Sequence, residues 1–159
     1  MKIIHPILGE LTFHYGWTKR MKLNIFDQEF SVEINIDADE DALFDENQIE
    51  AYQFFFKDLE NRIQEAEKCV IEYFHSVVSD LLARDVDAGL KEKWVLAENQ
   101  ASEIFKFLTV KQILFPMNFD EHTREVGLIC DCVWDSENGI GIKYIDENLS
   151  EIGFQDILL

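Results

Sequence analysis

The sequence predicts an α+β fold: a mostly antiparallel sheet from N-terminal and C-terminal strands, with helices packed on one face. Three observations carry this expectation. Apolar residues alternate with polar ones from Leu11 to about Asp37. Between Ile49 and Val77 they switch to a period near 3.5. From Ile113 onward they alternate again. Period two buries one face of a strand, and a period near 3.6 buries one stripe of a helix. Strands grouped on both sides of a helical middle give the α+β pattern.

The N-terminal block predicts three strands. Leu11, Phe13 and Tyr15 alternate with Glu10, Thr12 and His14. Met21, Leu23 and Ile25 alternate with Lys22 and Asn24, and Phe30, Val32, Ile34 and Ile36 with Ser31, Glu33, Asn35 and Asp37. Gly16 and the stretch Phe26-Asp27-Gln28-Glu29 supply turns. A meander is the simplest connection of such neighbours.

The middle block predicts one long amphipathic helix over about 47–78. Ile49, Tyr52, Phe56, Leu59, Ile63, Ala66, Val70, Tyr73 and Val77 recur at alternating steps of three and four. Such a helix is roughly 45 Å long, enough to lie across a sheet. Its aromatic stripe (Tyr52, Phe55, Phe56, Tyr73, Phe74) suits a sheet better than the leucine seam of a coiled coil. Asp45 or Asn47 is the expected N-cap, and His75 is placed near the C-terminal dipole. Asp85-Val86-Asp87-Ala88-Gly89 interrupts the pattern. Within 90–107 a second, shorter helix is expected, best defined over about 97–107, with Trp94, Ile104 and Phe105 inward.

The C-terminal block returns to strands. Ile113, Phe115, Met117 and Phe119 share a face, and Asp120-Glu121-His122-Thr123 reads as a turn. Val126, Leu128, Cys130, Cys132 and Trp134 alternate with Glu125, Gly127, Ile129, Asp131 and Val133. Asp135-Ser136-Glu137-Asn138-Gly139 is a turn whose Asn-Gly pair permits positive φ. Ile140, Ile142 and Tyr144 form the next strand, and Asp146-Glu147-Asn148 turns the chain into Leu149–Ile152.

The 159 residues predict a single domain, 1–159, with 47% hydrophobic residues and thirteen phenylalanines to build a core. No apolar run approaches the roughly 20 residues that cross a bilayer, and Pro6 and Gly9 interrupt the N-terminus where a signal peptide would need an unbroken apolar stretch. Three cysteines, an odd number, fit a reducing cytoplasm. Cys130 and Cys132 point to the same strand face, as half of a metal site or as two small buried residues; the second is the simpler reading.

Charge is the most uneven property. Net charge is −18, with 32 acidic and 14 basic residues. From Asp27 to Glu67 fourteen carboxylates face only Lys57 and Arg62, a local net charge of −12. Residues 1–26 are net +3, which leaves −9 for 68–159. Such a chain repels nucleic acid and anionic membrane, and attracts a cationic surface or a metal ion.

The knot Asp37-Ala38-Asp39-Glu40-Asp41 places carboxylates at positions one, three and five of a calcium loop. Ala42 stands where glycine makes the sharp turn, and Gln48 stands where a bidentate glutamate belongs. The expectation is therefore a solvated strand-to-helix corner without metal. The histidines His5, His14, His75 and His122 lack ligand spacing. Gly139-Ile140-Gly141 has no following helix or lysine for phosphate, and no nucleophile motif occurs. No motif asks for a cofactor. Asp135 and Glu137, with Asp131 nearby, could serve as acid and base or hold a cation; the simpler reading is that Asp135 accepts hydrogen bonds from the turn backbone, Glu137 is solvated and Trp134 caps the core.

Four stretches resemble an uncharacterised bacterial family, a domain of unknown function with immunity-protein-like members. They are Ile7-Leu8-Gly9-Glu10-Leu11 followed by Trp17, the helix start Gln48-x-x-x-Tyr52-x-x-Phe55, the turn Cys132-x-Trp134-Asp135-x-Glu137-Asn138-Gly139-x-Gly141, and the closing Glu151-Ile152-Gly153-Phe154-Gln155-Asp156. The turn is similar to a Trp-Asp-x-Glu-His-Gly pattern, with Asn138 in place of histidine. The resemblance implies a fold and a bacterial source more firmly than an activity.

These readings converge on a non-catalytic, cytoplasmic binding protein for a basic protein partner, with a toxin-immunity protein as its specific form. Asp37, Asp39, Glu40, Asp41, Asp45 and Glu46 would form the binding corner, with Phe44 as apolar anchor. Two other readings stay open. One is a metal-assisted hydrolase using Asp135 and Glu137, which requires the two to line a concave pocket. The other is an assembly module built on the long helix.

Overall fold

The computed structural model describes residues 1–117 and 122–158. Eight strands form one sheet in strict chain order. They are β1 (Lys2–His5), β2 (Gly9–Phe13), β3 (Trp17–Ile25), β4 (Gln28–Ile36), β5 (Leu108–Phe115), β6 (Glu125–Cys132), β7 (Ile140–Ile145) and β8 (Asn148–Gly153). Every neighbouring pair is antiparallel except β4 and β5, which run parallel from Glu33↔Gln112 to Ile36↔Phe115. A parallel pair needs a long crossover. Residues 37–107, which contain all the long helices, supply it. The α+β class and the mostly antiparallel sheet are as expected.

The predicted long helix is two helices, α1 (Glu46–Lys57) and α2 (Leu59–Ala83). The break is at Asp58, with φ −129° and ψ 38°. Its carboxylate accepts from Asn61 Nδ2 at 2.7 Å, and its carbonyl receives Arg62 N–H at 3.1 Å. Asp58 thus ends one helix and opens the next. The apolar period runs through the break because a single non-helical residue barely rotates the stripe. Ala51, Phe55, Ile63, Ala66, Val70, Phe74 and Val78 all stay buried. Of the predicted stripe, Ile63, Ala66 and Val70 are buried, while Ile49, Tyr52, Phe56, Leu59, Tyr73 and Val77 are half-buried against the core. Because α2 continues to Ala83, His75 sits two turns from its end, outside the reach of the terminal dipole.

The shorter helix also differs from expectation. α3 spans Ala88–Asn99, and Ala101–Phe107 is a separate 3-10 helix. Asp87 caps α3 by accepting from Leu90 N at 3.3 Å. Gln100 is extended, with φ −132° and ψ 101°, and separates the two. Trp94, Ile104 and Phe105 are buried as expected.

Three further boundaries move. Tyr15 does not share the inward face of β2; it lies in the turn after it and is 98% exposed. β1, which the alternation did not signal, pairs with β2 at the sheet's edge. Trp134 lies beyond the end of β6 yet is buried against Phe74 and Phe107. Phe119, Asp120 and Glu121 lie outside the described residues.

The helices cover one face of the sheet. Val32, Ile34, Ile36, Ile113, Phe115, Leu128, Cys130, Ile140, Ile142 and Tyr144 point into them and form one buried cluster. The opposite face is polar over β3 and β4. Over β6 and β7 it is covered by the terminal 3-10 helix Gln155–Leu158, where Leu158 packs against Gly127 and Ile157 against Gly141.

Candidate functional site

Two regions hold the candidate residues, one at each end of β5. Across the eight residues of that strand they stand roughly 23 Å apart.

The first is the acidic corner between β4 and α1. Three anchors fix its backbone. Asp37 N–H donates to Phe115 O at 3.0 Å, and the Trp17 indole Nε1 donates to Asp39 O at 2.8 Å. Gln48, only 3% exposed, is the third. Its Nε2 donates to Asp37 O at 2.7 Å and Phe115 O at 3.1 Å, while its Oε1 accepts from Asp45 N at 3.0 Å. Asp45 and Gln48 close a capping box at the start of α1. Position twelve of the imagined calcium loop is thus a buried clamp that holds the helix to the sheet. Ala42 adopts φ 56°, the sharp turn that glycine would make freely. Asp41 Oδ1 receives Leu43 N at 3.1 Å.

On this frame Asp39, Glu40, Asp41, Asp45 and Glu46 are exposed, while Asp37 is half-buried. None of the six forms an ion pair among the described residues. Phe44 is not the exposed anchor. It packs edge-on against His5 at 5.6 Å and Trp17 at 6.5 Å. The apolar tip is Leu43, 76% exposed. Alternation along the loop could have exchanged these two only if the positive φ at Ala42 had been foreseen.

The second region is the turn after β6. Asp135, Glu137, Asn138, Ser136 and Trp134 line a cavity of about 570 Å³ together with Arg84, Val86, Leu90, Trp94, Val133 and Phe154. Asp135 and Glu137 both border this cavity, with Glu137 exposed. Asp135 is nevertheless occupied: Oδ1 accepts from Asn138 N at 3.2 Å, and both oxygens accept from Asn138 Nδ2 at 3.1 Å. Asn138, where the resembled pattern has histidine, thus stitches the turn. Gly139, at φ 59°, donates to Asp135 O at 2.9 Å. Asp131 is on the strand, 3.7 Å from Lys111 Nζ. Among the described residues no three His, Cys, Asp or Glu side chains are grouped as a metal site requires. Arg84, Val86 and Leu90 were not singled out in the sequence, because they come from the α2–α3 connection and the first turn of α3, more than 40 residues upstream of the turn.

The four family-like stretches meet in two pairs. Lys19 Nζ donates to Leu8 O at 2.6 Å and to the Tyr52 hydroxyl at 2.7 Å, joining the opening stretch to the helix start. Gln155 joins the closing stretch to the turn: its N donates to Asn138 O at 3.0 Å and its Nε2 to Cys130 O at 2.9 Å.

A second cavity, of about 690 Å³, lies between the β3–β4 turn and α2, lined by Asn24, Phe26, Asp27, Leu59, Glu60, Ile63, Gln64 and Glu67. Burial, and then the neighbouring Asp27, push the Glu67 carboxyl above its ordinary range.

Cys130 and Cys132 are both buried, and burial raises both thiols. Cys132 is pushed up to about 12, although hydrogen bonds from the Trp134 and Asp135 backbone pull the other way. Neither is a ready thiolate ligand. A prediction follows for alkaline pH. Thiols ionise near 8.5 once unfolded but stay protonated when folded, so the folded chain binds more protons above that pH. Stability is therefore full below about pH 8.5 and falls as pH rises, by roughly 1.4 kcal/mol per unit for each thiol. Melting curves from pH 7 to 11 should show this decline, and replacing both cysteines with alanine should flatten it.

No curated protein matches the chain, and no solved structure does. Among the described residues no helix is long and apolar enough to cross a membrane. The family model described as "Domain of unknown function (DUF6985)" matches residues 7–159, from the opening stretch through the turn to the last strand and beyond, and the chain belongs to that family.

Proposed function

We propose that this chain is a non-catalytic binding protein whose acidic corner receives a basic protein. One observation carries the reading. Unpaired carboxylates at Asp39, Glu40, Asp41, Asp45 and Glu46 surround the exposed Leu43 on a loop pinned by Gln48 and Trp17. A preorganised loop loses little entropy on binding. Clustered charge of one sign speeds encounter with its opposite, and an apolar tip supplies contact once the water leaves. The Tyr15 turn lies beside the corner, since Gly16 packs against Asn35 and Ile36, and it adds a fully exposed aromatic ring. The partner we favour is a cationic toxin neutralised in the cytoplasm of a bacterium, in keeping with the immunity-like members of the resembled family.

The test reverses charge where the carboxylates are exposed; of the three, Asp41 alone accepts a hydrogen bond within the loop, from Leu43 N, so melting is measured alongside affinity. The triple variant Asp39→Lys, Glu40→Lys, Asp41→Lys should lose at least about tenfold in affinity for a cationic protein that the parent chain binds. Its binding should also respond less steeply to salt, because fewer charges are screened. Unchanged affinity, with unchanged melting, overturns the acidic-corner reading. The variant Leu43→Ser should weaken binding without changing the salt response.

A further inference from the structure

The cavity at the Trp134–Asn138 turn carries polar groups that the chain itself leaves without partners. Arg84 donates once, from Nη1 to Trp134 O at 3.1 Å, and forms no ion pair among the described residues. Glu137 is exposed and forms none either. Trp94 is only 2% exposed, and its indole Nε1 has no hydrogen-bond partner. A buried N–H has given up its hydrogen bond to water, so it is normally paired within the protein. Between these groups the walls are apolar: Val86, Leu90, the Trp134 ring, and the outward-facing Val133 and Phe154, which are 58% and 44% exposed. One cation and one anion thus border a cavity of about 570 Å³ that has both polar and apolar walls and Trp94 among its lining residues. That volume lies in the range of small-molecule sites.

We propose that this cavity binds a zwitterionic small molecule, a free amino acid or short peptide with an apolar side chain. The carboxylate of the ligand takes the Arg84 guanidinium and the Trp94 N–H. Its ammonium takes Glu137, and its side chain lies on Val86, Leu90 and Phe154. Asp135 holds the turn through Asn138 and so fixes where Glu137 is presented; it is a positioning residue. Trp94 is a lining residue with a buried N–H, so a ligand that takes this donor must displace neighbouring side chains. Binding here is independent of the acidic corner, which lies at the other end of β5.

The experiment titrates the full chain with L-leucine, L-phenylalanine and the Leu-Phe dipeptide. Intrinsic tryptophan fluorescence and melting temperature are the readouts. N-acetyl-leucine, which lacks the ammonium, and leucine amide, which lacks the carboxylate, are the controls. At least one zwitterion should shift the fluorescence and raise the melting temperature by mass action, with both controls at least tenfold weaker. Glu137→Gln should weaken binding at least tenfold while leaving melting of the free chain unchanged, since Glu137 is exposed. Trp94→Phe keeps a ring but removes the orphan donor. It should weaken binding while leaving the free chain as stable as before or more so. The proposal falls if none of the three zwitterions binds, if the controls bind equally, or if Glu137→Gln binds as tightly as the parent chain.

Discussion

Replacing Gln48 with leucine is expected to lower stability by roughly 2–4 kcal/mol, because a single side chain makes three hydrogen bonds that nothing else can make. Leucine has nearly the right size but leaves Asp37 O and Asp45 N without their partner and removes one of two donors from Phe115 O. In a chain of this size that corresponds to a fall of roughly 4–16 °C in melting temperature. Asp45→Ala removes only the capping side chain and should cost nearer 1 kcal/mol. Thermal or urea unfolding of both variants reads the difference. Equal losses would mean that the clamp on the sheet contributes nothing beyond the cap. The corner would then be less rigid than a preorganised binding loop requires.

Gly139→Ala should be at least as damaging, at roughly 3–5 kcal/mol. Its φ of 59° already disfavours any residue with a Cβ. A methyl group there would also stand 2.7 Å from Cys130 O and 2.6 Å from Gln155 Cδ. The first of these is backbone and has no rotamer to move into, and the second is held by its bond to the same carbonyl. The substitution therefore breaks the Gln155 link between the turn and the closing stretch, and reshapes the cavity with it. Gly153→Ala is the matched control. Its nearest contact is Ile157 Cγ2 at 3.3 Å and its φ is unexceptional, so its loss should be a small fraction of that at Gly139. If the two glycines behave alike in unfolding experiments, the turn is not locked as the geometry requires.

Periodicity made most of the architecture legible, because alternation and the 3.5 period both report burial directly. It failed wherever one residue changed the direction of the chain. Asp58 and Gln100 each end a helix by backbone angle alone, and neither disturbs the apolar spacing around it. Ala42 takes a left-handed angle without being glycine, and that single turn exchanges Phe44 for Leu43 at the surface. The parallel pairing of β4 with β5 was equally hidden, since strand patterns do not encode which neighbour a strand chooses. The acidic corner was visible as composition, and so was the turn at Trp134 as a cluster of unusual residues. The walls of its cavity were not, because Arg84, Val86, Leu90 and Trp94 reach it only through the packing of α3 against α2. The same turn also showed what Asn138 does: in place of a titratable histidine it ties down Asp135.

The parallel seam has a consequence for synthesis. Seventy-one residues, 37–107, separate the end of β4 from the start of β5. At the roughly 5–20 residues per second of a ribosome, β4 waits several seconds with one edge bare. A bare edge is a template for another chain. The waiting strand carries Glu29 and Glu33, and the next stretch to emerge brings eleven more of the carboxylates that set the local charge of −12. During those seconds the charge acts as a gatekeeper, keeping nascent copies apart until β5 arrives to close the sheet.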